Sequence, residues 1–222
     1  MIPTPDFSHL RPEDYEHVYE PAEDTFILLD ALEQDADQIV GMKPLIALEI
    51  GSGSGGVSSF LGGIAGPSAV LYLCTDINQH ACRASVSTGR QNKVSLEVIN
   101  TSFANSLLSR LHKSVDLVLF NPPYVPTIND EASGAQDSKG IAGSWAGGQD
   151  GMQITERFLP QIDNLLSACG RFYLVAVAQN NIPGIRRRMR DEYALESEIV
   201  LQRRAGREHL SVLRFAREPQ TK

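Results

Sequence analysis

The chain is poor in the residues that would mark a secreted, membrane-spanning or polyanion-binding protein. Its three cysteines, Cys74, Cys82 and Cys169, are odd in number and widely spaced, with no C-x-x-C pair. That argues against a disulfide framework and against a structural zinc in this chain, so no metal is expected, and it points to a reducing compartment. No apolar run approaches the ~20 residues needed to cross a bilayer. Pro3, Pro5 and Asp6 interrupt any signal-like stretch at the N-terminus. Excess positive charge is also missing: the net charge is −7 with histidine neutral. A partner that is mainly bare nucleic-acid backbone, DNA included, would reward a basic surface through counterion release. His9, His17, His80, His112 and His209 show no ligand or catalytic spacing. The expected location is cytoplasmic, and the same composition is compatible with a nuclear pool.

What is present is an apolar run that stops abruptly. Val115, Leu117, Val118, Leu119 and Phe120 read as a strand covered on both faces. Asn121-Pro122-Pro123-Tyr124 follows, and neither proline can donate a ladder hydrogen bond. In an open α/β sheet, ligands bind beyond the carboxyl ends of the strands. The tetrapeptide suits methyl transfer to a planar nitrogen. The Asn121 side-chain carbonyl and the Pro122 backbone carbonyl can each accept one hydrogen of an NH2 group, and Tyr124 offers a flat stacking face. The plainer reading is a Pro-Pro turn with Asn as turn former.

The 222 residues fit one α/β domain. Residues 1–18 are expected to be a flexible N-terminal segment and 19–217 the single domain. Pro21, Glu23 and Asp24 start a helix whose apolar face is Phe26, Leu28, Leu29 and Leu32; it reads as a helix packed on the sheet edge, and in the sharper reading the residues that open it also cover a bound cofactor. Leu45–Ile50 is the first strand, followed by Gly51-Ser52-Gly53-Ser54-Gly55 and a helix through Val57, Phe60, Leu61 and Ile64. Strand, glycine loop and helix form a ligand-binding context, although the spacing matches neither the dinucleotide fingerprint nor the P-loop. Glu49 before the loop disfavours a pyrophosphate and suits a cationic ligand such as S-adenosylmethionine; a plain βα turn is the alternative. Asp76 closes the second strand, Val70–Thr75, where a ribose-binding acid is expected. Asn78 is the better cap for the helix that follows, about Gln79 to Asn92.

Leu96, Val98 and Ile99 mark a third strand whose alternation suggests an edge, and a weak helix with Leu107, Leu108 and Leu111 should lead into the central strand. Pro126–Gly151 is glycine-rich and reads as a lid over the substrate, with Trp145 as a partner anchor or a residue folded onto the core. A helix from Met152 to Leu166 is expected to end at Cys169-Gly170, followed by a strand Phe172–Val177. The arginines of the next helix, Arg186, Arg187, Arg188 and Arg190, read as a solvated face; with Arg203, Arg204 and Arg207 they form a basic rim in the alternative reading. Two terminal strands joined through Gly206 must be antiparallel.

Glu49-x-Gly51-x-Gly53-x-Gly55, Asp76 and Asn121-Pro122-Pro123-Tyr124 resemble class I S-adenosylmethionine-dependent methyltransferases of the N-methylating branch. Tyr19-Glu20-Pro21-Ala22-Glu23-Asp24-Thr25, Cys74-Thr75-Asp76-Ile77-Asn78, Trp145-Ala146-Gly147-Gly148 and Ala205-Gly206-Arg207-Glu208 narrow the resemblance to the catalytic subunits of eukaryotic release-factor glutamine methyltransferases. The resemblance runs from about Tyr19 to Phe215. It implies a Rossmann-like seven-stranded, mostly parallel sheet with an antiparallel terminal strand and helices on both faces. It implies N5-methylation of the glutamine in the Gly-Gly-Gln loop of the class 1 translation termination factor, with or without that factor's GTPase partner. Histone lysine and nucleic-acid adenine are the alternative targets. It places Thr25, Glu49, Gly51, Asp76 and Asn121 against the cofactor, with Gly53 and Gly55 in the same loop, and Asn121 and Pro122 on the acceptor amide. It also implies a small zinc-binding activator subunit beside the third strand, Leu96 to Ile99. The family's usual acid after that strand is replaced here by Ser102, followed by Phe103.

Overall fold

The computed structural model describes residues 1–126, 146–148, 151–206 and 208–218. The elements are α1 (Glu23–Gln34), α2 (Ala36–Met42), β1 (Ile46–Ile50), α3 (Gly56–Ala65), β2 (Leu71–Asp76), α4 (Gln79–Gln91), β3 (Leu96–Asn100), β4 (Val115–Phe120), β5 (Val125–Pro126), β6 (Ala146–Gly148), α5 (Gln153–Leu165), β7 (Leu166–Val177), α6 (Ile182–Tyr193), β8 (Glu196–Ala205) and β9 (Glu208–Ala216). Seven strands form one sheet in the order β3-β2-β1-β4-β7-β9-β8. The first five are parallel to one another, and β9 runs antiparallel to both β7 and β8. This is the expected architecture, with β3 as one edge.

Strand alternation divides the core. Leu117 and Leu119 of β4 point into a cluster with Ile27, Leu28 and Leu32 of α1 and Phe60 and Leu61 of α3. Val118 and Phe120 point the other way, onto Phe158 and Ile162 of α5 and Met189 of α6. Leu117 to Phe120 of the central strand are therefore all apolar, because both faces are covered there. The order of strands reverses at β1, which pairs with β2 on one side and β4 on the other. A crevice opens at such a switch point, beyond the strand ends, and here it lies between Ile50 and Phe120.

Three local readings change. Residues 101–114 form successive turns, held by bonds such as Leu107 N–H to Ala104 O at 2.8 Å, rather than the expected helix. Helix α5 ends at Leu165, and Cys169-Gly170 lies inside β7. There the β4–β7 register shifts between Val115 and Leu117, which pair with Leu166 and Arg171. A Cβ on Gly170 would sit 2.7 Å from the Val115 carbonyl oxygen, so the glycine serves a close backbone approach and not a helix cap. Helix α2 was not expected at all; only Ile39 of its seven residues is buried, too few to show a period.

The N-terminal residues run over the surface and are held at several points. Ile2 N–H donates to Glu33 Oε1 at 2.6 Å, Asp6 N–H to Asn92 Oδ1 at 2.8 Å, and Val18 is buried. The arginines of α6 and β8 are largely paired: Arg186 with Ser197, Arg188 with Glu192, Arg190 with Asp191, and Arg203 with Asp30. This favours a solvated face over a free basic rim. Arg207, the expected lid and Trp145 lie outside the described residues, apart from Pro126, 146–148 and Gly151. Among the described residues no helix is long and apolar enough to cross a membrane.

Candidate active site

A cavity fills the switch-point crevice. Its lining brings together Thr25 from α1, Glu49, Gly51 and Gly53 from β1 and its loop, Asp76 from β2, Ser102 and Phe103 after β3, and Asn121 and Pro123 after β4. These positions span the chain from 25 to 123, and only the parallel sheet collects them.

The glycine loop leaves β1 with positive φ at Gly51, Gly53 and Gly55 (66°, 51° and 78°), a region that side chains with a Cβ rarely adopt. A Cβ at Gly51 or Gly53 would meet nothing within 4 Å, so these two border open space. Gly55 differs from the expectation. Its Cβ would lie 2.6 Å from Ser85 Cα, so it seats α3 against α4 and does not line the cavity. The Ser52 and Ser85 hydroxyls, 2.8 Å apart, pin the loop at the same point.

Three acids line the cavity: Asp24 from α1, and Glu49 and Asp76 from the ends of β1 and β2. Asp76 accepts Gly53 N–H at 2.9 Å on one oxygen and Asn78 N–H at 2.8 Å on the other. Asn78 caps α4 by accepting His80 N–H at 2.9 Å, so Asp76 is not needed as the cap. Burial raises the Asp76 carboxyl above the ordinary carboxylate range, against the pull of those backbone donors. Glu49 is 5% exposed and accepts both the backbone N–H and the hydroxyl of Ser58. Burial outweighs these bonds and pushes its carboxyl up to about 8. A buried acid and a half-buried one with lone pairs to spare, two open glycines and an aromatic wall fit a cationic ligand carrying hydroxyls and a flat ring.

Phe103 supplies that wall. It has φ 49°, uncommon for an aromatic residue, and stacks on Phe158 with ring centroids 5.6 Å apart. Phe120 meets it edge-on, and the Arg157 guanidinium lies 5.8 Å from its centroid.

At the other end, Asn121 donates through Nδ2 to Asp24 Oδ2 at 3.1 Å. Its Oδ1 is buried and has no hydrogen-bond partner among the described residues. Pro122 and Tyr124 do not line the cavity, unlike Asn121 and Pro123. Tyr124 instead donates to Glu208 Oε2 at 3.3 Å, and burial, with Asp24 and Glu208 nearby, pushes its phenol well up. Sequence reasoning missed Tyr19, Asp24, Ser52, Asn78 and Ile154 as lining residues. Asp24 was read as an acid suited to a helix start, in a segment whose sharper reading has it cover a cofactor, and nothing local singles Asp24 out within that segment. Among the described residues, no group of three or more His, Cys, Asp or Glu is placed to hold a metal ion.

The family profile described as Methyltransferase small domain matches residues 23–137. Methyltransferase HEMK2 of Mus musculus is 46% identical, over 97% of each chain. The eRF1 methyltransferase catalytic subunit mtq2 of Schizosaccharomyces pombe is 43% identical, over 98% of this chain and 96% of its own. Among solved structures, that of the E. cuniculi Mtq2-Trm112 complex, which methylates the eRF1 translation termination factor, superposes with a TM-score of 0.63 at 23% identity, covering 90% of this chain and 99% of that one. A cavity suited to a cationic cofactor at the switch point, and relatives matching end to end at this identity, lead to one conclusion: the chain belongs to the methyltransferase small-domain family, in the group that contains HEMK2 and mtq2.

Proposed function

We propose that this protein is the catalytic subunit of an S-adenosylmethionine-dependent glutamine N5-methyltransferase acting on the Gly-Gly-Gln loop of the class 1 translation termination factor. The observation that carries the reading is the buried Oδ1 of Asn121, a residue that lines the cavity, which has no hydrogen-bond partner among the described residues. A buried acceptor without a donor costs about 1–3 kcal/mol, and an incoming NH2 group removes that penalty. The names of the two relatives at 46% and 43% identity support the same chemistry and substrate.

S-adenosylmethionine, when bound, supplies an electrophilic methyl group on a sulfonium. The residues assigned to hold it are Thr25, Glu49, Gly51, Gly53, Asp76, Ser102 and Phe103, all of which line the cavity. Glu49 meets the cationic part, Asp76 the ribose hydroxyls, and Ser102 and Phe103 the adenine. Asn121 Oδ1 takes one hydrogen of the acceptor amide, and the Pro122 carbonyl takes the second. The prolines hold φ near one value, so these acceptors are set before the substrate arrives. Tyr124, anchored on Glu208, holds the wall beside them. No base need act before attack, because the work is orientation of a delocalised nitrogen.

The partner is assigned to the free edge of β3, where Val98 and Ile99 are only half-buried. A small zinc-binding activator would add a strand there and cover an edge that otherwise invites aggregation. The site of action is assigned to the cytoplasm, where the termination factor works. The test is mass spectrometry of termination factor, histone tail and DNA after incubation with cofactor and the co-expressed heterodimer. Methyl on the Gly-Gly-Gln glutamine alone supports the reading. Methyl on lysine or adenine with the glutamine untouched refutes the substrate, and a soluble, active catalytic chain without the activator refutes the partner.

A further inference from the structure

Asp24 sits in the first turn of α1 and is 5% exposed. Every hydrogen bond it makes is one it accepts. Thr25 N–H donates to Oδ1 at 2.7 Å, the Tyr19 hydroxyl reaches both oxygens at 3.2 Å, and Asn121 Nδ2 donates to Oδ2 at 3.1 Å. An ionised aspartate has no hydrogen to give. The amide of Asn121 has two ends and can in principle sit either way round. Facing an acceptor-only group, it must present NH2 to Asp24 and aim its carbonyl elsewhere. The end left over is the buried Oδ1 that has no partner.

We propose that Asp24 is a positioning residue that selects the productive flip of the Asn121 amide. The inference rests on the reading of Asn121 as the acceptor for the substrate NH2. With the amide reversed, Oδ1 would face a carboxylate oxygen, and NH2 would face the NH2 of the substrate. Donor would meet donor at the one place where the reaction needs an acceptor. The α1 turn that carries Asp24 is held on the core by Ile27 and Leu28, which are 0% and 1% exposed, so the carboxylate is a fixed reference. The Tyr19 hydroxyl, 3.2 Å from both carboxylate oxygens, holds it as well. The segment from Tyr19 to Thr25 therefore belongs to the acceptor machinery as well as to the wall of the cofactor cavity.

The test is a double-mutant cycle on the heterodimer, with kcat, KM for termination factor and cofactor Kd measured separately, and a melting curve for each variant. Asp24→Asn offers Asn121 either an oxygen or an NH2, so both flips become available. Its kcat falls about tenfold, the size of one lost charge-assisted hydrogen bond, while KM and cofactor Kd hold. Asn121→Asp sets two carboxylates against each other and loses more. In Asp24→Asn/Asn121→Asp the donor and acceptor have exchanged places: the residue 24 amide donates, and residue 121 keeps a free oxygen for the substrate. The double variant is expected to be at least about tenfold more active than Asn121→Asp alone, a coupling of the kind seen only between groups in contact. Additive losses with normal melting overturn the proposal. So does an Asp24→Asn variant that loses cofactor affinity but keeps kcat, because that outcome makes Asp24 a cofactor contact. Wild-type heterodimer is assayed first: if it leaves the glutamine unmethylated, the substrate assignment fails, whereas an active wild type with an additive cycle removes Asp24 alone.

Discussion

Glu49 offers a pH signature that can be worked through. In the folded, cofactor-free chain burial raises its carboxyl from 4.5 to about 8. Between those values the unfolded chain has released a proton that the folded chain still holds. The native state then binds more protons than the unfolded state, so stability falls as pH rises through this window. At 1.36 kcal/mol per unit, the contribution of Glu49 to stability drops by roughly 3 kcal/mol between pH 4.5 and neutrality. Glu49→Gln keeps an oxygen for the Ser58 donors and removes the titration. It should match wild type near pH 4.5 and exceed it in stability by roughly 3 kcal/mol at neutral pH, read from the difference in denaturant midpoints across the range. The cofactor acts in reverse. A sulfonium beside Glu49 favours the charged form, so cofactor affinity should rise with pH up to about 8. Binding at neutral pH should also release a proton, visible by calorimetry in buffers of different ionisation enthalpy. A Glu49→Gln difference that stays flat across this range would refute the reasoning.

Other perturbations separate holding from reacting. Asn121→Ala should lower kcat by roughly 10²–10³-fold, the size seen when one preorganised polar group is lost, with cofactor Kd nearly unchanged; single-turnover kinetics with titrated cofactor reads both. Gly55→Ala places a Cβ against Ser85 at a positive φ, so it should reduce stability by about 1–3 kcal/mol in thermal melts. Arg214→Met strips the partner from Asp35, which is 3% exposed and also accepts the Tyr173 hydroxyl at 2.8 Å. Leaving that buried charge unpaired should destabilise by about 3–5 kcal/mol, checked by chemical denaturation, without changing kcat.

Much of the fold was written in local pattern. The β4 run Val115–Phe120, the β1–glycine–α3 unit and the terminal hairpin through Gly206 lie where periodicity puts them, because strand burial and turn chemistry act over a few residues. Glu49, Gly51, Gly53, Asp76 and Asn121 were legible for the same reason: each lies at the end of a strand or in the loop that leaves it, and these line the crevice. Helix α2 and the turns at 101–114 were not, since a short segment's form depends on what it packs against. Gly55 and Gly170 misled because a glycine looks the same whether it meets a ligand, a cap or a neighbouring backbone.

The sequence alone thus determined the parallel strand units, the glycine loop and the Asn-Pro-Pro-Tyr stop after β4, all set by contacts between near neighbours in the chain. Only the tertiary structure decided which acid meets which amide. Asp24 and Asn121 lie 97 positions apart, and no local rule joins them. The flip of Asn121 depends on a charge that reaches it only once α1 has docked beside the end of β4.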